Sequence, residues 1–313
     1  MKIVLLESLA VSDEVIQGYA GSLNKEGHSF IAYEKETDPK ILIERAKDAD
    51  AIILANMPLS GEVIDGCEKL KFIDVAFTGV DHVDLKHAQE RGIAVSNASG
   101  YSNESVAELV IGMTLSLLRN VRQVEARCRE GKTKEGLVGC ELKGKTIGVV
   151  GTGAIGARVA ELFHYFGCEI VAYDKVRKDI PYITYLPLDV VLEKADVVTL
   201  HCPLTDETRG LINVEKLALM KEGAYLINAA RGPIVDSYAL ADALNEGRLS
   251  GAGIDVFETE PPLAVDHPLL CARNCLVTPH IAFASQESMI LRAEIVFRNL
   301  REWMQGNQIN KIL

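Results

Sequence analysis

The stretch that decides the fold is GVVGTGAIGARVAELFHYFGCEIVAYDK, from Gly148 to Lys175. It has the pattern of a strand, a glycine-rich turn, a helix, a second strand and an acid, which is typical of a dinucleotide-binding unit. Such a fingerprint normally occupies the first strand–helix turn of its domain. Because it opens only at Gly151, the chain ahead of it is predicted to form a separate domain.

Three glycines carry the fingerprint, Gly151, Gly153 and Gly156, in the spacing G-x-G-x-x-G. Gly151 allows a tight turn, Gly153 lets a pyrophosphate approach the backbone, and Gly156 lets the helix pack on the strand. The helix start at Ala154 and Ile155 offers N–H groups and the positive end of its dipole to phosphates. These residues are therefore predicted to bind a cofactor.

An acid follows the second strand, where the ribose hydroxyls of a dinucleotide would bind. Asp174 stands 18 residues after Gly156, and its carboxylate can accept hydrogen bonds from those hydroxyls. Its charge also repels a 2′-phosphate, so we predict NAD (NADH) as the cofactor, with NADP less favoured. Lys175 and Arg177 lie close by in the sequence and keep this preference from being strict.

The composition indicates a globular protein of two domains. The chain has 313 residues, 48% hydrophobic and 25% charged, and its net charge of −11 argues against a nucleic-acid partner. No apolar run approaches the roughly 18 residues of a membrane helix, and the N-terminus lacks a secretory signal. The seven cysteines form no CxxC pair and no metal-ligand grouping. We therefore expect a cytoplasmic protein with reduced thiols, no metal and no membrane partner.

Short apolar runs alternate with helical patterns along most of the chain, which predicts parallel α/β architecture. Ahead of the fingerprint the predicted strands are Ile3–Leu6, Ser29–Tyr33, Ala51–Leu54, Phe72–Ala76 and Ile93–Val95. From the fingerprint onward they are Thr146–Val150, Glu169–Tyr173, Val197–Leu200, Ala224–Asn228, Gly251–Asp255 and Leu276–Thr278. Among the predicted helices are Asp13–Lys25, Pro39–Lys47, Leu85–Arg91, about Glu104–Arg119 and Gln286 to about Gln305.

The last helix follows the second sheet and must bury its apolar face somewhere. The first domain is the available partner, so the chain is expected to leave that domain near Asn97 and return near Ala284. We predict two doubly wound parallel-sheet domains: one split over residues 1–97 and 284–313, and one inserted at residues 98–283.

Three polar residues follow strands of the inserted domain, where ligands of doubly wound sheets bind. Arg231 follows Ala224–Asn228, Glu260 lies in the loop after Asp255, and His280 follows the last strand. Each could be structural alone: Arg231 could cap a helix or pair with Asp236, and the others could be ordinary polar residues. Together they supply a cation, a carboxylate and a titratable acid or base, which suits carbonyl chemistry.

Several segments in order make the chain resemble the NAD-dependent D-isomer-specific 2-hydroxyacid dehydrogenases over nearly its whole length. Beside the fingerprint they are FTGVDHVDL (77–85), SNESVAEL (102–109), HCPLTDETRGLI (201–212), NAARGPIVD (228–236), GAGIDVFETEPP (251–262) and TPHIA (278–282). The resemblance implies a Rossmann NAD domain inserted into a flavodoxin-like, split substrate domain. It also implies a homodimer, formed through a helix and arm at about residues 101–143.

The resemblance also assigns roles to matching positions. Arg231 would bind the substrate carboxylate and carbonyl oxygen, His280 would protonate that oxygen, and Glu260 would favour the charged form of His280. Further substrate contacts would come from Thr78, Gly79, Val80 and Tyr101. Further cofactor contacts would come from His201, Pro203, Ala229, Ala230 and Asp255.

The resemblance implies a substrate of that family, which is a small 2-oxo acid, phosphohydroxypyruvate or formate. Two observations favour a small unphosphorylated 2-oxo acid. The segment LANMPLSGEV (54–63) lacks a cation for a phosphate group, and formate oxidation involves no carbonyl to protonate. We favour hydroxypyruvate or glyoxylate reduction; the alternative is a D-lactate-type enzyme acting on pyruvate or larger acids. Met57, Phe77 and Phe283 could line the pocket or belong to the core. A rival from another class is a non-catalytic NAD-sensing scaffold of the corepressor type.

Overall fold

The computed structural model describes all residues from Met1 to Leu313. The chain divides into two compact units, unit 1 being Met1–Ser102 with Ala284–Leu313 and unit 2 being Asn103–Phe283. The sequence had suggested a first crossing near Asn97, five residues before the observed division. No helix combines the length and the apolar character that a membrane span requires.

Unit 1 is built on a parallel five-stranded sheet of order β2-β1-β3-β4-β5. Its strands are β1 (Lys2–Leu5), β2 (Ser29–Ala32), β3 (Ala51–Leu54), β4 (Phe72–Val75) and β5 (Ala94–Asn97). Its helices are α1 (Asp13–Lys25), α2 (Pro39–Ala46), α3 (Gly61–Gly66), α4 (Leu85–Glu90) and, near the end of the chain, α12 (Gln286–Met304). This strand order is that of flavodoxin-like sheets.

Helix α12 completes unit 1, as its apolar face predicts. Ser285 and Ser288 form a capping box at its start, which satisfies backbone N–H groups that lack helical partners. Along the helix, the Phe297 ring stacks on Tyr19 of α1 at 4.0 Å and the Trp303 ring stacks on Phe72 of β4 at 4.6 Å. The helix thus packs on elements that precede unit 2 in the sequence.

Unit 2 is built on a parallel seven-stranded sheet of order β12-β11-β10-β9-β6-β7-β8. Its strands are β6 (Thr146–Val150), β7 (Glu169–Tyr173), β8 (Ile183–Tyr185), β9 (Val197–Leu200), β10 (Tyr225–Asn228), β11 (Gly251–Ile254) and β12 (Cys275–Val277). Its helices are α5 (Asn103–Leu118), α6 (Val121–Arg129), α7 (Ala154–Tyr165), α8 (Leu188–Lys194), α9 (Val214–Leu219), α10 (Ser237–Asn245) and α11 (Pro268–Cys271). The order extends outward from β6 as in Rossmann domains.

Alternation along the strands of unit 2 separates two apolar cores. Leu226 faces one core, with Leu192 and Leu240, whereas its neighbour Ile227 faces the other, with Phe163 and Ile111. A sheet buried on both faces requires strands that are apolar along nearly their whole length. For this reason the short apolar runs in the sequence identified most of the strands.

The structure corrects some predicted elements. The long helix ends at Leu118, within one residue of its predicted end, but an additional helix begins at Val121; Asn120, which separates the two, adopts a positive φ of 53°. The last strand is shifted by one residue, to Cys275–Val277. Strand β8 and helix α3 were not predicted, since they have only three and six residues and too short a pattern to show a period.

Candidate active site

Six strands of unit 2 end in register at one edge of the sheet. The register pairs Val150 with Tyr173 and Leu200, then Leu200 with Asn228, Asn228 with Ile254, and Ile254 with Val277. The residues that follow these ends include Asp174, Gly151, His201, Ala229, Asp255 and Thr278. The strand pairing therefore brings the candidate cofactor-binding and catalytic segments of unit 2 to a single edge.

The glycine turn after β6 is tightly packed at two positions and open at the third. Gly151 has a φ of +94°, and a Cβ there would lie 2.7 Å from the backbone of His201 and Cys202. A Cβ on Gly156 would lie 1.9 Å from the carbonyl oxygen of Gly151. A Cβ on Gly153 would meet nothing within 4 Å. The turn thus leaves open the approach that a pyrophosphate needs.

The start of α7 adds the second requirement of a dinucleotide site. The first N–H groups of a helix lack intrahelical acceptors, and Gly153 and Ala154 are exposed at this end. The 12-residue helix directs the positive end of its dipole to the same place. The residues present therefore fit the pyrophosphate of NAD.

Asp174 is held ionised at the end of β7. Its Oδ2 accepts hydrogen bonds from the N–H of Thr152 at 2.5 Å and from the hydroxyl of Thr152 at 3.0 Å, and its Oδ1 accepts from the N–H of Val176 at 2.9 Å. Burial acts to raise the pKa of Asp174, but these bonds outweigh it and lower the pKa. The nearby cation Lys175 pairs with Glu207, so its charge is compensated by a carboxylate.

His201 lies beneath the glycine turn and is neutral. Its N–H donates to the carbonyl of Val150 at 2.7 Å, and its Nε2 lies 2.8 Å from the hydroxyl oxygen of Thr199. Burial lowers the pKa of His201 to about 3. The side chain therefore supports the turn without carrying a charge near pH 7.

The turn that presents Arg231 is shaped by a buried amide that sequence reasoning did not single out. Oδ1 of Asn228 accepts from the N–H of Ala230 at 3.1 Å, and its Nδ2 donates to the carbonyl of Arg231 at 2.9 Å. Arg231 also donates to the carbonyl of Ala230 at 2.8 Å. Asp236, the alternative ion-pair partner considered from the sequence, caps α10 through the N–H groups of Tyr238 and Ala239.

The loop that carries His280 is fixed by Asp255, which is fully buried. The Asp255 carboxylate accepts from the Thr278 hydroxyl at 2.6 Å and from the N–H groups of Ile281 and Ala282 at 2.9 and 2.8 Å. Burial raises the pKa of Asp255 although these bonds oppose it. The Asp255 carboxylate, which was predicted to contact the cofactor, thus bonds Thr278, Ile281 and Ala282 and holds the loop in place.

His280 adopts a left-handed backbone conformation, with a φ of 57°. Such a conformation costs a non-glycine residue about 1–2 kcal/mol and persists where surrounding bonds over-determine it. The N–H of His280 donates to the carbonyls of Asp255 at 2.8 Å and Thr278 at 3.0 Å. The backbone bonds thus fix the direction of the imidazole.

The His280 imidazole pairs with the Glu260 carboxylate. Nδ1 of His280 lies 2.9 Å from Oε1 and 3.1 Å from Oε2 of Glu260, and the edge of the ring contacts Phe283 at 5.4 Å. The side chain of His280 is 15% exposed and that of Glu260 is 58% exposed. A carboxylate on Nδ1 fixes the tautomer and the orientation of the ring, which leaves Nε2 as the nitrogen that could exchange a proton with a ligand.

The candidate substrate residues of unit 1 lie at or beyond the ends of its strands. Thr78, Gly79 and Val80 follow β4, and the carbonyl of Thr78 accepts from Nδ2 of Asn97 at 2.7 Å. Tyr101 is 4% exposed, and its ring meets that of Phe77 at 6.0 Å.

The two remaining candidates are Met57 of unit 1 and Pro203 of unit 2. Met57 is fully buried, in agreement with the reading of it as a core residue. Pro203 lies in the turn after β9, and its carbonyl accepts from the hydroxyl of Thr208 at 2.6 Å.

Comparison with known proteins identifies the family of the chain. Residues 111–282 match the model of the D-isomer specific 2-hydroxyacid dehydrogenase, NAD binding domain. The chain is 34% identical to a hydroxypyruvate reductase of Blautia hydrogenotrophica, covering 100% of this chain and 99% of that protein. It is 40% identical to a glyoxylate reductase of Thermofilum pendens, over 91% of this chain and 88% of the relative.

A solved structure shares the fold over almost the whole chain. The D-lactate dehydrogenase from Aquifex aeolicus, complexed with NAD and lactic acid, is 33% identical, with a TM-score of 0.88 and coverage of 98% and 96% of the two chains. The chain therefore belongs to the D-isomer-specific 2-hydroxyacid dehydrogenase family. It is an NAD-dependent oxidoreductase, which confirms the enzyme and cofactor predictions.

Proposed function

We propose that this protein reduces small unphosphorylated 2-oxo acids to D-2-hydroxy acids with NADH, and that hydroxypyruvate and glyoxylate are its preferred substrates. The observation that carries the proposal is the contact of the His280 imidazole with both Glu260 oxygens, at 2.9 and 3.1 Å. The pair belongs to the same unit as the glycine turn and Asp174.

His280 acts as the general acid in this proposal. NADH, when bound, would supply a hydride to the carbonyl carbon of the substrate. The protonated imidazole donates its Nε2 proton to the carbonyl oxygen, and Glu260 stabilises the imidazolium before transfer. The reaction converts one 2-oxo acid, one NADH and one proton into a 2-hydroxy acid and NAD. In the reverse direction, neutral His280 accepts the hydroxyl proton.

Arg231 binds the substrate carboxylate and carbonyl oxygen. A guanidinium presents N–H groups in a planar fork that matches a carboxylate, and the Asn228 bonds fix the backbone from which it projects. In unit 1, we assign substrate contacts to the backbone of Thr78, Gly79 and Val80 and to Tyr101. Ala229, Ala230 and Pro203 would contact the bound cofactor, and His201 would make a weaker contact.

The preference for an unphosphorylated acid rests on the residues after β3. The segment Leu54–Val63 contains no Lys or Arg. Lys35 reaches Asn56 at 3.2 Å, but its ammonium also pairs with the Glu7 carboxylate at 2.7 Å. A substrate phosphate would therefore find no uncompensated cation there. The names of two relatives, a hydroxypyruvate reductase and a glyoxylate reductase, support the choice of these acids rather than pyruvate as substrates.

The experiment is a substrate panel followed by NADH absorbance. Purified protein is assayed with hydroxypyruvate, glyoxylate, pyruvate, 2-oxobutyrate, 2-oxoisocaproate and phosphohydroxypyruvate, each repeated with NADPH. We expect the highest kcat/KM for hydroxypyruvate or glyoxylate with NADH, and loss of that activity in His280→Asn. Faster turnover of the phosphorylated acid would contradict the substrate assignment. Silence with every acid, while NADH still binds, would contradict the reaction.

We further propose that the protein is a cytoplasmic homodimer. All seven cysteines are free thiols, as a reducing compartment maintains. Helix α6 has no buried residue, and Val138 in the arm that follows is 80% exposed, which suits a segment that packs on a second copy. Light scattering after size exclusion should give twice the chain mass of 34.1 kDa. A mass of one chain at micromolar concentration would contradict the dimer.

A further inference from the structure

The loop after β11 carries a second acid that the proposed mechanism does not use. Glu258 precedes Glu260 by two residues, and its Oε2 lies 3.2 Å from Nε2 of His267. Burial acts to raise the pKa of Glu258, but a hydrogen bond from Ser237 and the contact with His267 help to lower it. The acid is therefore an ionised anchor between the start of α10 and the residue before α11.

The two ring nitrogens of His267 have different partners. Nδ1 accepts the N–H of Leu269 at 3.4 Å, which caps the first turn of α11. An accepting Nδ1 carries no proton, so Nε2 carries one and donates to Glu258. The ring also meets the edge of Phe257 at 5.4 Å, and its side chain is 15% exposed. His267 thus holds two consecutive residues of the loop, Phe257 and Glu258.

The same loop touches the turn that presents Arg231. A Cβ on Gly232 would lie 1.9 Å from the carbonyl carbon of Phe257. The backbones of the two segments are therefore in direct contact. A displacement of Phe257 would move the Gly232 backbone next to Arg231, and a displacement of Glu258 would move Glu260 two residues on.

We propose that Glu258 and His267 are positioning residues, which set the loop so that Glu260 meets Nδ1 of His280 while Arg231 keeps its place. The inference rests on the proposed function, because it concerns the geometry of the same site. The hydrogen-bond partners of Glu258 and His267 are each other, Ser237 and Leu269. The two positioning residues act through the backbone between Phe257 and Glu260.

Two substitutions of His267 separate this role from capping. In His267→Asn the side-chain oxygen replaces Nδ1 and retains the cap, but no donor reaches Glu258. In His267→Gln the amide nitrogen reaches the place of Nε2 and retains the donor to Glu258, but the cap is lost. We expect His267→Asn to lower kcat about tenfold, in line with a small misplacement of catalytic groups, with the dissociation constant for NADH unchanged. We expect His267→Gln to keep kcat within about twofold and to lose more thermal stability.

A second pair of variants shows which residue transmits the effect. Glu258→Gln keeps the shape of the side chain and should lower kcat as His267→Asn does. In a Glu260→Gln background, Glu258→Gln should change kcat by less than about twofold. The reason is that the effects of two substitutions do not add when one residue acts through the other. Equal effects in both backgrounds would overturn the proposal. So would parallel changes of kcat and melting temperature in the two His267 variants.

A spectroscopic measurement keeps the inference testable apart from the substrate assignment. The Nδ1 proton of His280 should give a downfield proton NMR signal that is absent in His280→Asn. We expect this signal to shift or broaden in His267→Asn and to persist in His267→Gln. An unchanged signal in His267→Asn would overturn the inference, whereas inactivity of the unmodified protein on the substrate panel would overturn only the proposed function.

Discussion

Two histidines follow strands of the same sheet and have opposite environments. His201 follows β9, its Nε2 meets the Thr199 hydroxyl, and burial lowers its pKa to about 3. His280 follows β12, its Nδ1 meets the Glu260 carboxylate, and its backbone is held at a positive φ. Both lie at the strand ends that a motif search would select. The difference teaches that burial and the partner of a ring nitrogen, rather than a position at a strand end, distinguish a structural histidine from a candidate proton donor.

The sharpest test of this contrast is removal of the proposed proton donor, His280. In His280→Asn the amide can still face Glu260, and asparagine tolerates the left-handed backbone, but the proton on Nε2 is lost. We expect kcat for 2-oxo acid reduction to fall at least ~10²-fold, as for lost general acid catalysis. His280→Ala should lose at least as much. Stopped-flow NADH oxidation and NADH fluorescence would separate catalysis from binding, and near-normal turnover would remove His280 from the mechanism.

The pH dependence should differ in sign between the two directions of the reaction. In the proposed mechanism, reduction takes up a proton through His280 and oxidation releases one there. We expect the reduction rate to fall as pH rises, by up to about tenfold per pH unit, while the oxidation rate increases. Steady-state rates between pH 5 and pH 9 in both directions would check this. The same direction of change for both reactions would contradict it.

The third test concerns the ribose end of the cofactor site. Asp174→Ala removes the ionised carboxylate that would repel a 2′-phosphate. We expect the ratio of kcat/KM for NADPH to that for NADH to rise about tenfold, equivalent to roughly 1.4 kcal/mol. Asp242→Asn, which removes an acid from α10, serves as the charge-matched control. An unchanged ratio in Asp174→Ala would move cofactor selection to other residues.

The fourth test applies the argument about burial to unit 1. Asp74 of β4 is fully buried; its Oδ1 accepts from Nδ2 of Asn299 at 3.0 Å, and its Oδ2 has no hydrogen-bond partner. Burial raises the pKa of Asp74 well above its ordinary value although the Asn299 bond opposes it. The folded state therefore keeps a proton that the unfolded state releases above about pH 4, and stability falls as pH rises toward the folded-state pKa.

Replacing Asp74 with asparagine should remove this penalty. At each pH, the unfolding free energy of Asp74→Asn is compared with that of the unmodified protein. We expect this difference to be about 1 kcal/mol more favourable to the variant at pH 8 than at pH 5. Urea unfolding at the two pH values would measure it. A gain of the same size at both pH values would show that Asp74 does not hold a proton in the folded state.

The smallest effect is expected at His201. A side chain that stays neutral takes no part in proton transfer, so His201→Gln should change kcat by less than about threefold and leave the pH profile in place. Loss of the bond to Thr199 should appear instead as a lower melting temperature. A shift of the pH profile of kcat in this variant would show that His201 also takes part in proton transfer, contrary to the proposed difference between the two histidines.

Much of the fold followed from apolar runs and turn signals. Ala51–Leu54, Thr146–Val150, Glu169–Tyr173 and Val197–Leu200 have the predicted bounds, because buried parallel strands need uninterrupted apolar side chains. The edge strand β8 escaped prediction, since its three residues pair only with β7 and carry little pattern. Local signals thus identify central strands better than edges.

The site followed from the sequence only as far as motifs extend. The motif marks Gly151, Gly153 and Asp174, whereas Thr152, which donates twice to Asp174, occupies a variable position within it. Thr278 holds its loop through a bond to Asp255, 23 residues earlier in the chain, which strand register brings near. Such contacts depend on three-dimensional neighbours, and no spacing in the chain reports them.

The late return of α12 to unit 1 has a consequence for biosynthesis. Asp74 and Asn299, which meet in the finished unit, are 225 residues apart, so at about 5–20 residues per second a ribosome needs tens of seconds to join them. During that time the whole of unit 2 leaves the ribosome and can fold as a unit. The sheet of unit 1 meanwhile lacks the helix that buries Phe72. The N-terminal part of unit 1 is therefore synthesised first but is the last to have its apolar surface covered. Chaperones should bind this part rather than unit 2, which is made after it.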